Sequence, residues 1–208
     1  MFLKTLPTSA QRLFTHLGKE SAIAPFYLAG GSAAALHMGH RISVDLDFFT
    51  SNSFDPPSLL VSLQKIGALT IQQQSAGTFV GLLAKTQISF FQYPYPLLET
   101  PSQYKRIQVA SLLDIALMKI TAISQRGRRR DFVDLYFICQ NGFSIPALLE
   151  QIPQKFPAIT YPSYHLLRAL VYFDDAENDP RLKMLTPYNW REIKNFFESQ
   201  VRDMMRNL

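Results

Sequence analysis

Two aspartates, Asp45 and Asp47, stand two positions apart in the otherwise apolar stretch 44–49. If this stretch is a strand, its alternation places both carboxylates on one face and the apolar side chains on the other. Two carboxylates within about 4 Å repel by roughly 1 to 4 kcal/mol, depending on the effective dielectric, unless a cation lies between them. Mg²⁺ suits such a pair, because it prefers oxygen ligands and completes its octahedron with substrate phosphates. The pair therefore predicts a Mg²⁺ site.

A second element, Gly30-Gly31-Ser32, ends twelve residues before Asp45 and follows an apolar segment, residues 26–29. A glycine pair between a strand and a helix leaves backbone N–H groups open to a ligand, and the helix N-terminus adds partial positive charge. Together with the Ser32 hydroxyl, this turn predicts phosphate binding. Each element has an alternative: the turn could be structural with Ser32 as a helix cap, and an Asp-x-Asp pair also occurs on surface strands and in glycosyltransferases.

Charged residues further along the chain could complete such a site. Lys119 and Arg126 are seven positions apart on one face of a predicted helix, so both can point toward a triphosphate. Asp131 and Asp134 share a face of the next predicted helix and could meet either cation. The alternative interpretation of this cluster is a set of salt bridges that joins two helices.

Composition limits the class of protein. The 208 residues suit one domain, with or without a small appendage, and 47% hydrophobic with 18% charged residues is ordinary for a globular chain. No apolar run approaches the ~20 residues of a membrane span. Cys139 is the only cysteine, so no intrachain disulfide can form, and we expect a reducing cytoplasm rather than a membrane. The net charge of +5 favours polyanionic partners, and the basic run 126–130 is either an RNA contact or a solvated loop.

The periodicity predicts an α+β fold: a mixed β-sheet core with flanking helices, followed by a mostly helical C-terminal half. We expect a core over residues 1–110 and a helical region over 111–208 that packs on it and completes the active site. Segment 174–180 is predicted as a solvated acidic loop. The predicted helices are residues 8–20, 32–38, 58–66, 111–126, 129–140, 144–151, 162–172 and 187 or 189 to 205, and the predicted strands are residues 26–29, 44–49, 69–74, 78–85, 87–93 and 107–110.

The combination of these motifs resembles a known family. Residues 28–49, with Gly30-Gly31-Ser32 and Asp45-x-Asp47, resemble the active-site signature of the DNA polymerase β-like nucleotidyltransferase superfamily. The fuller string, which includes Gly39-His40-Arg41, is similar to that of the AbiEii/AbiGii-type toxin nucleotidyltransferases. The block from Lys119 to Leu135 resembles the helical motif of the same family, in which a lysine and a downstream aspartate belong to the active site.

This resemblance implies an Mg²⁺-dependent enzyme that moves a nucleoside monophosphate from a nucleoside triphosphate to a hydroxyl acceptor. The acceptor would be an RNA such as a tRNA end, or a protein. It also implies a toxin that is paired with a cognate antitoxin protein. The implied catalytic residues are Asp45, Asp47, Lys119 and Asp131, with Asp45 and Asp47 as metal ligands, and the implied nucleotide-binding residues are Gly30, Gly31, Ser32, Arg41 and Arg126.

One position departs from the superfamily pattern. Active members usually carry a third acid on a neighbouring strand, and the matching stretch here, residues 87–91, has none. Asp131 could replace it, the acceptor could be activated differently, or catalysis could have been lost. The alternative function is therefore a non-catalytic nucleotide- or RNA-binding module of the same fold.

Overall fold

A computed structural model describes residues 1–206, and within them seven strands form one mixed sheet in the order β3-β4-β5-β2-β1-β7-β6. The strands are β1 Tyr27–Ala29, β2 Leu46–Thr50, β3 Leu69–Ser75, β4 Thr78–Leu83, β5 Thr86–Gln92, β6 Ser102–Tyr104 and β7 Ile107–Val109. The helices are α1 Thr8–Leu17, α2 Gly30–Met38, α3 Pro56–Ile66, α4 Leu112–Arg126, α5 Arg129–Gln140, α6 Ile145–Lys155, α7 Ser163–Leu170, α8 Asp174–Glu177 and α9 Trp190–Met205. The α+β prediction is confirmed.

Strand β2 lies at the centre of the sheet. It runs antiparallel to β1, with Ala29 opposite Asp47, and parallel to β5, with Asp47 opposite Ser89. Alternate β2 side chains point into the core, where the rings of Phe48 and Phe90 stack at 4.9 Å between centroids. The opposite face of β2 therefore carries Asp47 toward the helical half.

Helices α4 and α5 join the helical half to the sheet. The Ser111 side chain accepts a hydrogen bond from the backbone N–H of Asp114 and so caps α4 at its start. Gly127 ends α4 with a φ of +49°, in the left-handed region where glycine has no Cβ penalty. Both helices contact α2, and their buried side chains belong to the same core as those of the sheet. The division into regions 1–110 and 111–208 stays a prediction, and residues 207 and 208 lie outside the described part.

Two strand predictions need correction. Strand β2 begins at Leu46 and not at Val44, because the Asp45 carbonyl accepts a hydrogen bond from the Ser32 hydroxyl and Val44 is 57% exposed. Strand β6 has no counterpart among the predictions. It is joined to β7 by Lys105 and Arg106, which both have positive φ although neither residue type marks such a turn in a sequence.

Two helix predictions are also wrong. Helix α6 continues through Pro153 to Lys155, where the Lys155 ammonium binds Asp114 at 2.7 Å. Segment 174–180 is largely exposed, as predicted, but it is not entirely a loop: it contains the short helix α8, and Asp179 accepts hydrogen bonds of 2.8 Å from the Arg128 guanidinium and the Arg129 backbone N–H.

No single helix within residues 1–206 has both the length and the apolar composition of a membrane span. Among the described helices, α5 and α6 reach that length and composition as a pair, and they bend by 112° at the break between them.

Candidate active site

A cleft of about 730 Å³ lies between the β2 and β5 face of the sheet and helices α4 and α5. It contains eight of the nine residues that the sequence proposes for the site; Ser32 is buried beside it. The lining residues that carry charge are Arg41, Asp45, Asp47, Lys119, Arg126, Arg130 and Asp131.

Asp45 and Asp47 both line this cleft, as the alternation of the strand predicts. Burial raises the pKa of Asp47, a hydrogen bond from the Ser89 side chain opposes that shift, and the neighbouring Asp45 adds to it. Asp45 is 34% exposed, with the Arg130 Nη1 3.8 Å from its Oδ2. The pair is thus only partly compensated by cations of the chain. This chemistry suits a divalent cation, which two carboxylates could hold together with substrate oxygens.

The glycine turn lets two site side chains approach α2 closely. Gly30 has a φ of +66°, and a Cβ there would lie 3.3 Å from Asp47 Oδ2. A Cβ on Gly31 would clash with the Arg41 guanidinium. The alternative in which Ser32 caps α2 is not observed, because its hydroxyl donates to the Asp45 carbonyl instead. Ser32 thereby links the start of α2 to the first of the two aspartates.

Lys119 and Asp134 form the centre of a buried charge network. The Lys119 Nζ lies 2.7 Å from Asp131 Oδ1 and 2.6 Å from Asp134 Oδ2. Asp134 also accepts from Arg41 Nε at 2.6 Å and Nη2 at 2.8 Å, and lies 2.8 Å from His40 Nε2. Burial alone would raise the pKa of Asp134, but Arg41 and Lys119 hold it well below its ordinary value. The salt bridges that join α4 and α5 are therefore present, and Lys119 also lines the cleft.

Asp131 is fully buried and already has two cationic neighbours. Its Oδ1 binds Lys119, and its Oδ2 lies 3.3 Å from Arg126 Nε. In the sheet, Ser89 of the neighbouring strand pairs with Asp47, and residues 87–91 of that strand carry no acid. Residues 1–206 contain no group of three or more His, Cys, Asp or Glu side chains placed to hold a metal ion. The role of Asp131 as a third carboxylate stays a prediction.

The arginines of the basic run 126–130 do not form one surface. Arg126 and Arg130 line the cleft. Arg128 binds Asp179, and the Arg129 guanidinium donates to the Glu177 carbonyl at 2.8 Å. The division depends on contacts with Glu177 of α8 and with Asp179, which are both distant in sequence.

The sequence interpretation missed an aromatic group and several polar residues of the cleft. Gln125 and Ser89 are polar lining residues. The period of two along β5 would have placed Phe91 and Tyr93 on the face of Ser89. No local signal brings the residues that follow α6 to the same place. The aromatic residues of the cleft are Phe49, Phe91, Tyr93, Tyr95, Phe156 and Tyr161.

A family profile described as nucleotidyl transferase AbiEii toxin, Type IV TA system, matches residues 86–206, which is more than half of the chain. The chain belongs to the AbiEii family. The match includes the network residues Lys119, Asp131 and Asp134, whereas the glycine turn and the aspartate pair precede it. The family prediction made from the motifs is confirmed.

Other comparisons give one relative by sequence and two by structure. An uncharacterized protein of Aquifex aeolicus (strain VF5) is 37% identical over 187 residues, which cover 88% of this chain and 89% of the relative. A crystal structure of a candidate nucleotidyltransferase from H. pylori has a TM-score of 0.58 at 15% identity, over 96% of this chain and 94% of that one. MenT4, a nucleotidyltransferase toxin of Mycobacterium tuberculosis H37Rv, has a TM-score of 0.53 at 13% identity, over 95% of this chain and 86% of the MenT4 chain. These two structures show the fold alone, and the nucleotidyltransferase-like fold prediction is confirmed.

Proposed function

We propose that the protein is the catalytic toxin of an antitoxin pair and transfers a nucleoside monophosphate from a nucleoside triphosphate to a hydroxyl group of an RNA such as a tRNA end. One observation carries the proposal: the partly compensated carboxylates of Asp45 and Asp47 face Lys119 across a single cleft that also holds the Gly30-Gly31 turn. A protein hydroxyl is the other acceptor that the family resemblance implies. We place the reaction in the cytoplasm, where a partner antitoxin would also be synthesised.

The residues at the phosphate end have separate roles in this proposal. Asp45 and Asp47 would hold Mg²⁺, which would neutralise charge on the triphosphate and polarise the α-phosphorus for attack. The backbone N–H groups of Gly30 and Gly31 would bind the distal phosphates at the start of α2. The acceptor hydroxyl gives its proton to water and its oxygen bonds to the α-phosphorus, while the bond from that phosphorus to the bridging oxygen breaks and pyrophosphate leaves.

The cations across the cleft stabilise the charge that develops on the leaving pyrophosphate. Lys119 and Arg126 are oriented by Asp131, so their positions are fixed before a substrate binds. Because both Asp131 oxygens already accept from these cations, positioning is the role that we assign to Asp131. Arg41 is fixed by two bonds to Asp134 and reaches the cleft beside Gly31.

A non-catalytic nucleotide- or RNA-binding module is the second candidate. The observation that favours it is Ser89, which stands beside Asp47 where an active superfamily member usually carries an acid. Such a module would bind a triphosphate in the same cleft and release it unchanged.

Labelled nucleotides separate the two candidates. The purified protein is incubated with Mg²⁺, each α-³²P nucleoside triphosphate and total RNA or protein, and label in the macromolecular fraction is measured. We expect transfer to RNA by the wild type and by the matched control Asp203→Ala, whose aspartate is exposed on α9. Transfer that persists in Asp47→Ala contradicts the proposed mechanism. Triphosphate binding without transfer to any acceptor supports the binding module.

A further inference from the structure

Six aromatic residues, here called the aromatic wall, line one end of the cleft: Phe49, Phe91, Tyr93, Tyr95, Phe156 and Tyr161. Five of the rings contact one another in series at nearly perpendicular angles, and the sixth, Phe91, is tilted by 37° against Phe49 at 5.5 Å. The centroid distances are 5.5 Å for Phe49 to Tyr93, 4.7 Å for Tyr93 to Tyr95, 4.9 Å for Tyr95 to Phe156 and 5.5 Å for Phe156 to Tyr161. The three tyrosines are only partly buried, so the wall is a surface of the cleft and not part of the closed core.

The order of side chains along the sheet places this wall opposite the glycine turn. On β2 the cleft face carries Asp47 and then Phe49, and on the parallel strand β5 it carries Ser89 and then Phe91. Strand β1 runs antiparallel with Ala29 opposite Asp47, so the glycine turn lies on the side of Asp47 away from Phe49. The cleft therefore runs from the glycine turn, past the two aspartates, to the aromatic wall.

The segment that carries the middle of the wall is fixed by a buried ion pair. Lys155 donates to Asp114 at 2.7 Å and to the Pro96 carbonyl at 2.6 Å. The backbone N–H groups of Leu98 and Glu99 donate to the carboxylate of Asp114 at 3.0 and 3.3 Å. The chain that follows Tyr95 is thus anchored from both sides. A preformed wall loses little conformational freedom when a ligand binds.

We propose that the aromatic wall binds an unpaired nucleobase of the acceptor strand by stacking. The location rests on the proposed function: if pyrophosphate leaves toward the glycine turn, an in-line acceptor enters from the opposite end, where the wall stands. Aromatic side chains stack on every base, since every base has a π-face. Stacking requires an unpaired base, so the acceptor in this proposal is a single-stranded RNA end. The base of the triphosphate is the other ligand that could stack on the wall.

Fluorescence of 2-aminopurine tests the proposal, because stacking on an aromatic ring quenches it. Two probes are titrated with Ca²⁺ in place of Mg²⁺: a single-stranded oligoribonucleotide with 2-aminopurine at its 3′ end, and 2-aminopurine riboside triphosphate. The proteins are the wild type, Tyr95→Leu, Tyr161→Leu and Tyr161→Phe. The matched control is Tyr172→Leu, whose side chain is 52% exposed and lies outside the lining of the cleft.

We expect the oligonucleotide to bind roughly 5- to 150-fold more weakly to both leucine variants, with loss of quenching, while Tyr161→Phe and the control bind as the wild type does. Equal binding by all variants overturns stacking. A loss confined to the triphosphate overturns the acceptor assignment. Chemical unfolding of each variant excludes misfolding as the cause. No transfer is needed, so a failure of the proposed reaction and a failure of the stacking site remain distinguishable.

Discussion

The protein contains two buried lysine–aspartate clusters that have the same bond length and different surroundings. Lys119 and Lys155 each lie 2.7 Å from an aspartate oxygen, and both lysines are almost fully buried. The Lys155 cluster is closed, by which we mean that Asp114 and Lys155 form hydrogen bonds with each other and with the backbone of residues 96–99. The Lys119 cluster borders the cleft.

The balance of charge separates the two clusters more clearly than the ion pairs do. Asp131 and Asp134 face three fixed cations, Lys119, Arg41 and Arg126. Asp114 faces Lys155 alone among side-chain cations within salt-bridge distance in the described part of the chain. The excess positive charge of the open cluster is available to an anionic ligand. A buried ion pair by itself therefore indicates no site, whereas a charge cluster that opens onto a cleft beside partly compensated carboxylates does.

The largest expected effect is on the closed cluster. Lys155→Met leaves the Asp114 carboxylate buried without its cation, and removal of one partner of a buried pair costs about 3–5 kcal/mol. We expect the free energy of unfolding, measured in urea, to fall by that amount. Lys194→Met is the control, because Lys194 forms an exposed pair with Glu177. An unchanged unfolding midpoint for Lys155→Met would contradict the structural role of the closed cluster.

The open cluster should respond in activity. Lys119→Met removes a fixed cation from the leaving-group side of the proposed reaction, so we expect nucleotidyl transfer to fall about 10²- to 10³-fold. Asp131 and Asp134 keep Arg126 and Arg41 as partners, so the loss of stability should be smaller than for Lys155→Met. Transfer rates and urea unfolding, measured on both variants, check this contrast. It is wrong if Lys119→Met unfolds as easily as Lys155→Met and transfers normally.

Two arginines two residues apart offer a finer test. Arg130 lines the cleft near Asp45, whereas Arg128 binds Asp179 outside it. We expect Arg130→Ala to weaken triphosphate binding about tenfold, which is ~1.4 kcal/mol, because a contact with a phosphate is lost. Arg128→Ala should bind as the wild type does. Equal effects on Kd from calorimetry would show that the run 126–130 acts as one basic surface after all.

The smallest effect concerns pH. Because Arg41 and Lys119 hold the pKa of Asp134 well below its ordinary value, the stabilisation by this group is fully present above the pKa of an unfolded aspartate, ~3.9, and is lost as the pH falls through the folded pKa. We expect urea unfolding between pH 5 and 2 to show this loss in the wild type and in Asp203→Asn. Asp134→Asn should lack that part of the pH dependence, and an identical slope in all three proteins would contradict it.

Features that depend only on strand and helix repeats could be predicted from the sequence. The strand repeat places Asp45 and Asp47 on one face of a strand, and the helix repeat places Lys119 and Arg126 on one face of a helix. The turn at Lys105 and Arg106 lacks the residue types that mark positive φ, so β6 has no local signal.

Other features depend on segments that are far apart in sequence. The division of the run 126–130 depends on its contacts with Asp179, and the destination of the Ser32 hydroxyl depends on where β2 starts. The aromatic wall needs β5 and the residues after α6 to meet. Long-range contacts of this kind have no periodic pattern in one sequence.

The Asp47→Asn variant shows whether the open cleft is built for nucleotidyl transfer at some cost to the stability of the fold. Asp47 is partly buried, its pKa is raised by desolvation and by Asp45, and a neutral amide removes the charge without much change in shape. In this variant we expect the rate of label transfer from an α-³²P triphosphate to RNA to fall by at least about 10³-fold, which is ~4 kcal/mol in activation free energy. We expect its free energy of unfolding to be unchanged or higher. Transfer at the wild-type rate, or a loss of several kcal/mol of stability, would contradict it.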